Sequence, residues 1–162
     1  MDRLRRLYSE HQNRLYKYFY IRTSNEQVAE DLTQDVFYEA SKSIHLYRGE
    51  ASLTSWMYAI ANNLLKKHYR SKKYEQSLHT KLQQPLQAVR SAEDIVTEKL
   101  YVQAMHEQIM QLDEVSKQIV LLRLYSELSF KEIGEIISCS ENYARVQFHR
   151  LKRQLQKGGD ER

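Results

Sequence analysis

Leu4, Leu7, Tyr8, His11, Leu15, Tyr18 and Phe19 recur at helical steps, which predicts a first helix from about residue 3 to residue 22. The polar run Thr23-Ser24-Asn25 ends it. Val28, Leu32, Val36 with Phe37, Ala40 and Ile44 form a second stripe, so residues 26–43 read as a second helix with its acids on the opposite face. Gly49 interrupts the pattern. A third helix is expected to start near Leu53 to Ser55, with Thr54 or Ser55 as the candidate cap, to turn Trp56, Ile60 and Leu64 inward and to end near Lys73. The apolar signal then weakens from Tyr74 to Ala92, around the one proline, Pro85. Helical spacing resumes from Asp94 to Gln111, and Val115 to Leu124 reads as a strongly apolar helix.

The last quarter is the most informative. Ser129 to Ile137 is a short amphipathic segment, Ser138-Cys139-Ser140 a turn, and Glu141 to Leu155 a second helix with Ala144, Phe148, Leu151 and Leu155 on its buried stripe. Arg145, Arg150, Lys152, Arg153 and Lys157 lie largely off that stripe. A helix with a cationic free face, started by a three-residue turn, is the usual device for placing side chains in a DNA major groove. The reading is therefore all-α: two small helical domains joined by a flexible linker, the C-terminal one a helix-turn-helix. The boundaries fall at 1–74, 75–92 and 93–162.

Composition supports this and adds polarity. The 162 residues include four glycines, one proline and twelve tyrosines, a mixture that favours helices with amphipathic rings at their surfaces. Net charge is only +4, but its distribution is lopsided. Residues 26–39 hold five acids and no base, whereas residues 62–73 hold Lys66, Lys67, Arg70, Lys72 and Lys73 and no acid. Two basic surfaces and one acidic surface imply two kinds of partner. Taken alone, the basic run also suits a solvated helix end whose lysines favour the carboxyl-terminal dipole.

Catalytic chemistry finds no support in this pattern. His106-Glu107 lacks a second histidine at helical spacing, since Met110 stands there, and no glycine-rich phosphate loop is present. The six histidines are scattered, and the single Cys139 excludes an internal disulfide. The expectation is a protein that is not an enzyme, with no cofactor and no metal, in a reducing cytoplasmic setting. No signal peptide or membrane-span pattern is visible, so no direct membrane insertion is expected.

Taken together, these segments resemble the sigma-70 family of RNA polymerase sigma factors, specifically the small extracytoplasmic-function (ECF) group. Ala29 to Phe37 resembles the family's most characteristic segment, with Asp31, Leu32, Gln34, Asp35 and Phe37 at the matching places. The resemblance implies that this helix docks on bacterial core RNA polymerase. Tyr47 to Trp56 and the following helix are similar to the elements that open and read the −10 promoter element. By that similarity Arg48, Gly49 and Ser52 belong to a loop that captures a flipped base, and Asn62, Asn63, Lys66 and Arg70 to the surface that holds the separated strand. The C-terminal unit resembles the domain that binds the −35 element as duplex. Arg145, Val146, His149 and Arg150 would face bases and phosphates, and Lys131 and Arg153 the backbone.

The chain departs from the family's usual residues at Asn62, Lys67 and Tyr143-Ala144, on or beside the DNA-facing surfaces. The resemblance further implies promoter DNA as a partner, an anti-sigma factor, often one held at a membrane, and a monomer when free of partners. Two rivals remain at this point: an autonomous helix-turn-helix regulator that binds duplex as a dimer, and an adaptor whose helices hold proteins.

Overall fold

The computed structural model describes residues 2–82 and 105–160, and no strand occurs among them. Helix α1 (Asp2–Thr23) packs along α2 (Glu26–Ser43), which leads through a 3-10 turn (Ile44–Leu46) and a loop to the long α3 (Leu53–Leu82). A helical segment α4 (105–110) precedes α5 (Glu114–Ser126), α6 (Phe130–Ile137) and α7 (Glu141–Asp160).

The first three helices close around Leu15, Tyr18, Phe19, Ala29, Val36, Met57, Tyr58 and Ala61, all fully buried. Asn25 starts α2 by accepting the Val28 amide at 3.0 Å. That side-chain oxygen satisfies one of the amides the first helical turn leaves unpaired. Where Thr54 or Ser55 was expected to cap α3, Ser52 does so: its Oγ accepts the Ser55 amide at 3.1 Å and its carbonyl the Trp56 amide at 2.9 Å. Gly49 turns the preceding loop at φ 74°, and the helix begins at Leu53. Helix α3 also continues to Leu82 instead of stopping near Lys73, so residues 75–82 of the expected linker are helical. The rest of that linker, and residues 94–104 of the expected next helix, lie outside the described residues.

The same hydrophobic core continues into the C-terminal half through Ile109, Ile119, Leu121, Leu122, Leu128, Ile133, Ala144 and Leu151. Asp113 caps α5, accepting the Ser116 amide at 2.9 Å and the Ser116 hydroxyl at 2.7 Å. These bonds hold its carboxyl below the ordinary 3.8. At α6 a capping box closes: Ser129 Oγ accepts the Glu132 amide, and Glu132 Oε2 accepts the Ser129 amide at 2.9 Å. The turn into α7 is tight. A Cβ on Gly134 would lie 2.5 Å from the Cys139 carbonyl oxygen, and Ser138 takes φ 61° to end α6.

Helices α1 and α5 run antiparallel across the junction of the two halves. Arg22 meets Glu114 at one end, at 2.7 Å, and Arg14 meets Glu127 at the other, at 3.5 Å.

Candidate nucleic-acid and polymerase interfaces

Helix α2 separates its residues cleanly. Asp31, Gln34 and Asp35 are exposed, while Leu32 turns inward and is only 7% exposed. Leu32 therefore anchors the helix and does not present itself to a partner. Phe37 is half-buried with its ring edge-on to Tyr8, centroids 4.7 Å apart. Gln27 donates to Asp31 Oδ1 at 3.0 Å, and no base pairs with Asp31 or Asp35 among the described residues. The outcome is an acidic strip backed by an apolar helix face.

The loop after α2 is held from inside. Tyr47 donates its hydroxyl to the Ala51 carbonyl and rests its ring against Trp56 at 5.4 Å, which leaves Arg48, Gly49 and Ser52 at the surface. Trp56 is half-buried beneath the loop. Along α3, Asn63, Lys66 and Arg70 are exposed at steps of three and four, forming one row. Asn62 is not part of that row. It is 1% exposed and accepts a hydrogen bond from Gln118 of α5 at 3.2 Å.

Helix α7 buries Ala144, Phe148 and Leu151 and leaves Val146, His149, Arg150 and Arg153 exposed. Arg145 is exposed but engaged: its guanidinium donates to Glu141 at 2.7 Å and lies 5.8 Å from the Phe130 ring centroid. His149 leans its ring toward the same Phe130, at 5.9 Å. Lys131 projects from α6 into solvent. One neighbour, Asn142, escaped the sequence reading, beside Tyr143, which that reading places on or beside the DNA-facing surface. Asn142 and Tyr143 are both exposed in the first turn, which Ser140 fixes by accepting the Tyr143 amide at 3.0 Å. Asn142, Val146 and Arg150 recur every four residues opposite the buried stripe, a phase the sequence carries; attention to charge alone passes over the first of them.

No group of three His, Cys, Asp or Glu side chains suited to a metal ion occurs among the described residues. No described helix is long and apolar enough to cross a membrane. Cys139 is half-buried, and burial pushes its thiol up, away from the reactive thiolate range.

Residues 7–75 match the family model Sigma-70 region 2, and residues 102–155 match Sigma-70, region 4. The chain belongs to the sigma-70 family. Within it, this sigma factor is of the ECF group. It is 27% identical over 165 residues to "RNA polymerase sigma factor YlaC" of Bacillus subtilis, covering 96% of this chain and 91% of that protein. It is 29% identical over 157 residues to "ECF RNA polymerase sigma factor BldN" of Streptomyces coelicolor, covering 95% of this chain but 59% of that longer protein. Two solved structures share the fold at 17% identity. One is the sigma factor RpoE in complex with the anti-sigma factor NepR from Bartonella quintana, with a TM-score of 0.77 over 99% of both chains. The other is CnrH in complex with the cytosolic domain of CnrY, with a TM-score of 0.70 over 97% of this chain and 87% of that one. As a sigma factor the chain binds core bacterial RNA polymerase, directs it to promoters and promotes their melting. The autonomous regulator is not favoured.

Proposed function

We propose that this sigma factor divides its work among three surfaces. Asp31, Gln34 and Asp35 dock on core RNA polymerase, with Leu32 and Phe37 holding their helix in place. Arg48, Gly49 and Ser52 take up a base flipped from the −10 element, and Asn63, Lys66 and Arg70 hold the separated strand, while Asn62 lies buried against Gln118. Flipping a base costs a few kcal/mol, so contacts to the open form must offset that cost. Arg145, Val146, His149 and Arg150 face the −35 duplex, while Lys131 and Arg153 touch its backbone.

The observation that carries this assignment is the separation of charge. The acidic strip sits on a different helix from the basic row of α3 and the basic face of α7, so phosphate and polymerase are met by different elements. The chain performs no chemistry of its own and acts in the cytoplasm. An anti-sigma partner is also proposed, because both structural neighbours named above are sigma factors solved with a protein partner.

Initiation reconstituted from core polymerase, this chain and genomic promoter fragments, with transcript starts sequenced, tests the reading. Defined start sites that depend on the chain are expected, and charge reversal of Asp31 and Asp35 should abolish them while leaving α5 to α7 folded. Tight site-specific duplex binding by the free protein, with no effect on core polymerase, would overturn it.

A further inference from the structure

Helix α1 opens with charge at its unfavourable end. Arg3, Arg5 and Arg6 are exposed in its first two turns, where the helix dipole already presents positive charge and favours acids, and Asp2 is the one acid there. None of the three makes an ion pair or a side-chain hydrogen bond among the described residues, although Glu10 stands one turn beyond Arg6. Cations so placed disfavour the helix they start, so the fold itself does not account for them.

Register sets where they stand. His11 meets Tyr58 ring to ring, centroids 6.0 Å apart, and Arg22 Nε donates to the Tyr69 hydroxyl at 3.5 Å. Both pairs are 47 positions apart, so α1 and α3 run side by side in the same direction, and residues 3–6 fall level with residues 50–53. That level is the base-capture loop and the start of α3. Ser52 is fixed there by capping α3 and by donating its hydroxyl to Glu132 Oε1 at 2.7 Å. Arg3 and Arg6 share the face of α1 that continues, at steps of three and four, through Glu10 and Arg14. Glu10 and Arg14 line one cleft with Ser52 and Thr54, so this face is turned toward the loop. Arg5 falls on the opposite face of the helix.

From this register we propose that Arg3 and Arg6 form a further DNA-binding site, which holds two phosphates of the separated strand next to the captured base, on the side away from Asn63, Lys66 and Arg70. The row on α3 begins at Asn63, about 15 Å along the helix from Leu53, whereas Arg3 and Arg6 stand at the other side of the loop. The strand thus meets cations on both sides of the flipped base. Charge selects phosphate as the partner. The acidic strip of α2 calls for a basic surface on core polymerase, and such a surface would repel these arginines. A guanidinium fork fits two phosphate oxygens, and its binding releases counterions from the strand. The proposal rests on the assignment of Arg48, Gly49 and Ser52 to base capture made above.

The test uses the full chain with core polymerase and a mapped promoter fragment whose −10 region is held open by mismatches, titrated at successive salt concentrations. For Arg3→Gln with Arg6→Gln, affinity for the open fragment should fall about tenfold at about 0.1 M salt. The slope of log affinity against log salt should flatten by about 1.4, since each contact to a single-strand phosphate contributes about 0.7. Arg5→Gln, on the opposite face, should cost less than about twofold and leave the slope unchanged. Binding of the double variant to core polymerase should match that of the unaltered chain. A benzophenone at Arg3→Cys, in a Cys139→Ser background, should cross-link to the non-template strand beside the flipped base. An unchanged salt slope, an equal loss from Arg5→Gln, or a loss of core binding in place of strand binding overturns the proposal, the last by making the patch a protein contact. Failure of the base-capture assignment reads differently: Arg48→Ala would then leave binding to the open fragment intact while the double variant still weakened it. Failure of the sigma assignment is also distinguishable, because the unaltered chain would then direct no initiation at all.

Discussion

Arg22 and Glu114 form an ion pair whose two ends live in different solvents. The guanidinium side chain is 2% exposed and the carboxylate 66% exposed. The arginine has surrendered its water to the protein, whereas the glutamate has kept most of its own. Arg22 Nη1 finds no partner among the described residues, so the buried cation depends on Glu114 and on Tyr69, whose ring lies 5.6 Å from its Cζ and whose hydroxyl accepts from Nε at 3.5 Å. Removing the exposed partner should therefore cost more than an ordinary surface pair is worth, but less than breaking a fully buried one. Glu114→Ala is expected to lower stability by about 1 to 2 kcal/mol. Arg22→Ala, which also removes packing against Tyr69, should lower it by about 2 kcal/mol or more. Urea titration followed by tryptophan fluorescence and by far-UV circular dichroism measures both; a Glu114→Ala protein as stable as the parent would count against the pair.

Gly134 admits no side chain without moving backbone. A Cβ there would meet the Cys139 carbonyl oxygen at 2.5 Å, in the turn that aims α7. Gly134→Ala is expected to cost about 1 to 3 kcal/mol by overpacking and to weaken use of the −35 element more than assembly with core polymerase. Thermal denaturation and competition between promoters with and without a −35 element report the two effects. A fully stable alanine variant would mean that the turn can open without cost.

Asp113 makes α5 sensitive to acid. Its carboxyl lies below the ordinary 3.8 in the folded chain, so between the two values the unfolded state binds more protons. The stabilisation it gives is thus full above the unfolded value and is lost as pH falls through the folded one. Asp113→Asn keeps a capping oxygen but no titration. The parent's advantage over this variant should be constant from about pH 5 upward and should shrink steadily below it. Chemical denaturation at successive pH values checks this, and an advantage that survived to pH 2 would contradict it.

Val146 and Tyr143 are large apolar side chains left 54% and 45% exposed in the first two turns of α7. The apolar feature of a base edge in the major groove is the thymine methyl group, and the carboxamide of Asn142, one turn earlier, suits adenine. Replacing thymine by uracil at one −35 position should lower initiation by the unaltered sigma factor, and Val146→Ala should remove that sensitivity. Asn142→Ala should relax a preference for adenine, a loss of about 1 to 3 kcal/mol of discrimination. Initiation from a library randomised over the −35 element would show both. Identical base preferences in parent and variants would exclude these side chains from readout.

Arg150 offers the complementary case of a free cation. It is exposed, and no carboxylate pairs with it among the described residues, unlike Arg145 beside Glu141. Arg150→Ala should reduce initiation at −35-dependent promoters by about 1 to 3 kcal/mol, whereas Arg145→Ala should have the smaller effect. Equal losses from the two would show that Arg145 leaves Glu141 when DNA binds.

The amphipathic stripes of α1, α2 and α7 could be read from the chain because each helix buries one face, and burial every three or four residues leaves its period in the sequence. The acidic strip of α2 and the basic row Asn63, Lys66 and Arg70 were legible for the same reason, since a solvated face keeps its charge. The start of α3 near Leu53 was legible, but its cap was assigned to Thr54 or Ser55 because Ser52, Thr54 and Ser55 are all plausible caps, and only the direction of the preceding loop selects among them. Asn62 looked like an exposed reader in a polar run. It is buried because α5, 56 positions away in sequence, lies across it.

What the sequence by itself determined was therefore the local order: which residues form helices, which face of each is dry, and where charge accumulates. Periodicity and capping are short-range properties, and a single chain displays them without help from its fold. The tertiary structure alone decided that Glu114, Gln118 and Glu132 meet Arg22, Asn62 and Ser52. No period or motif encodes such pairs, because their geometry exists only once two helical units have packed against each other and exchanged water for one another's polar groups.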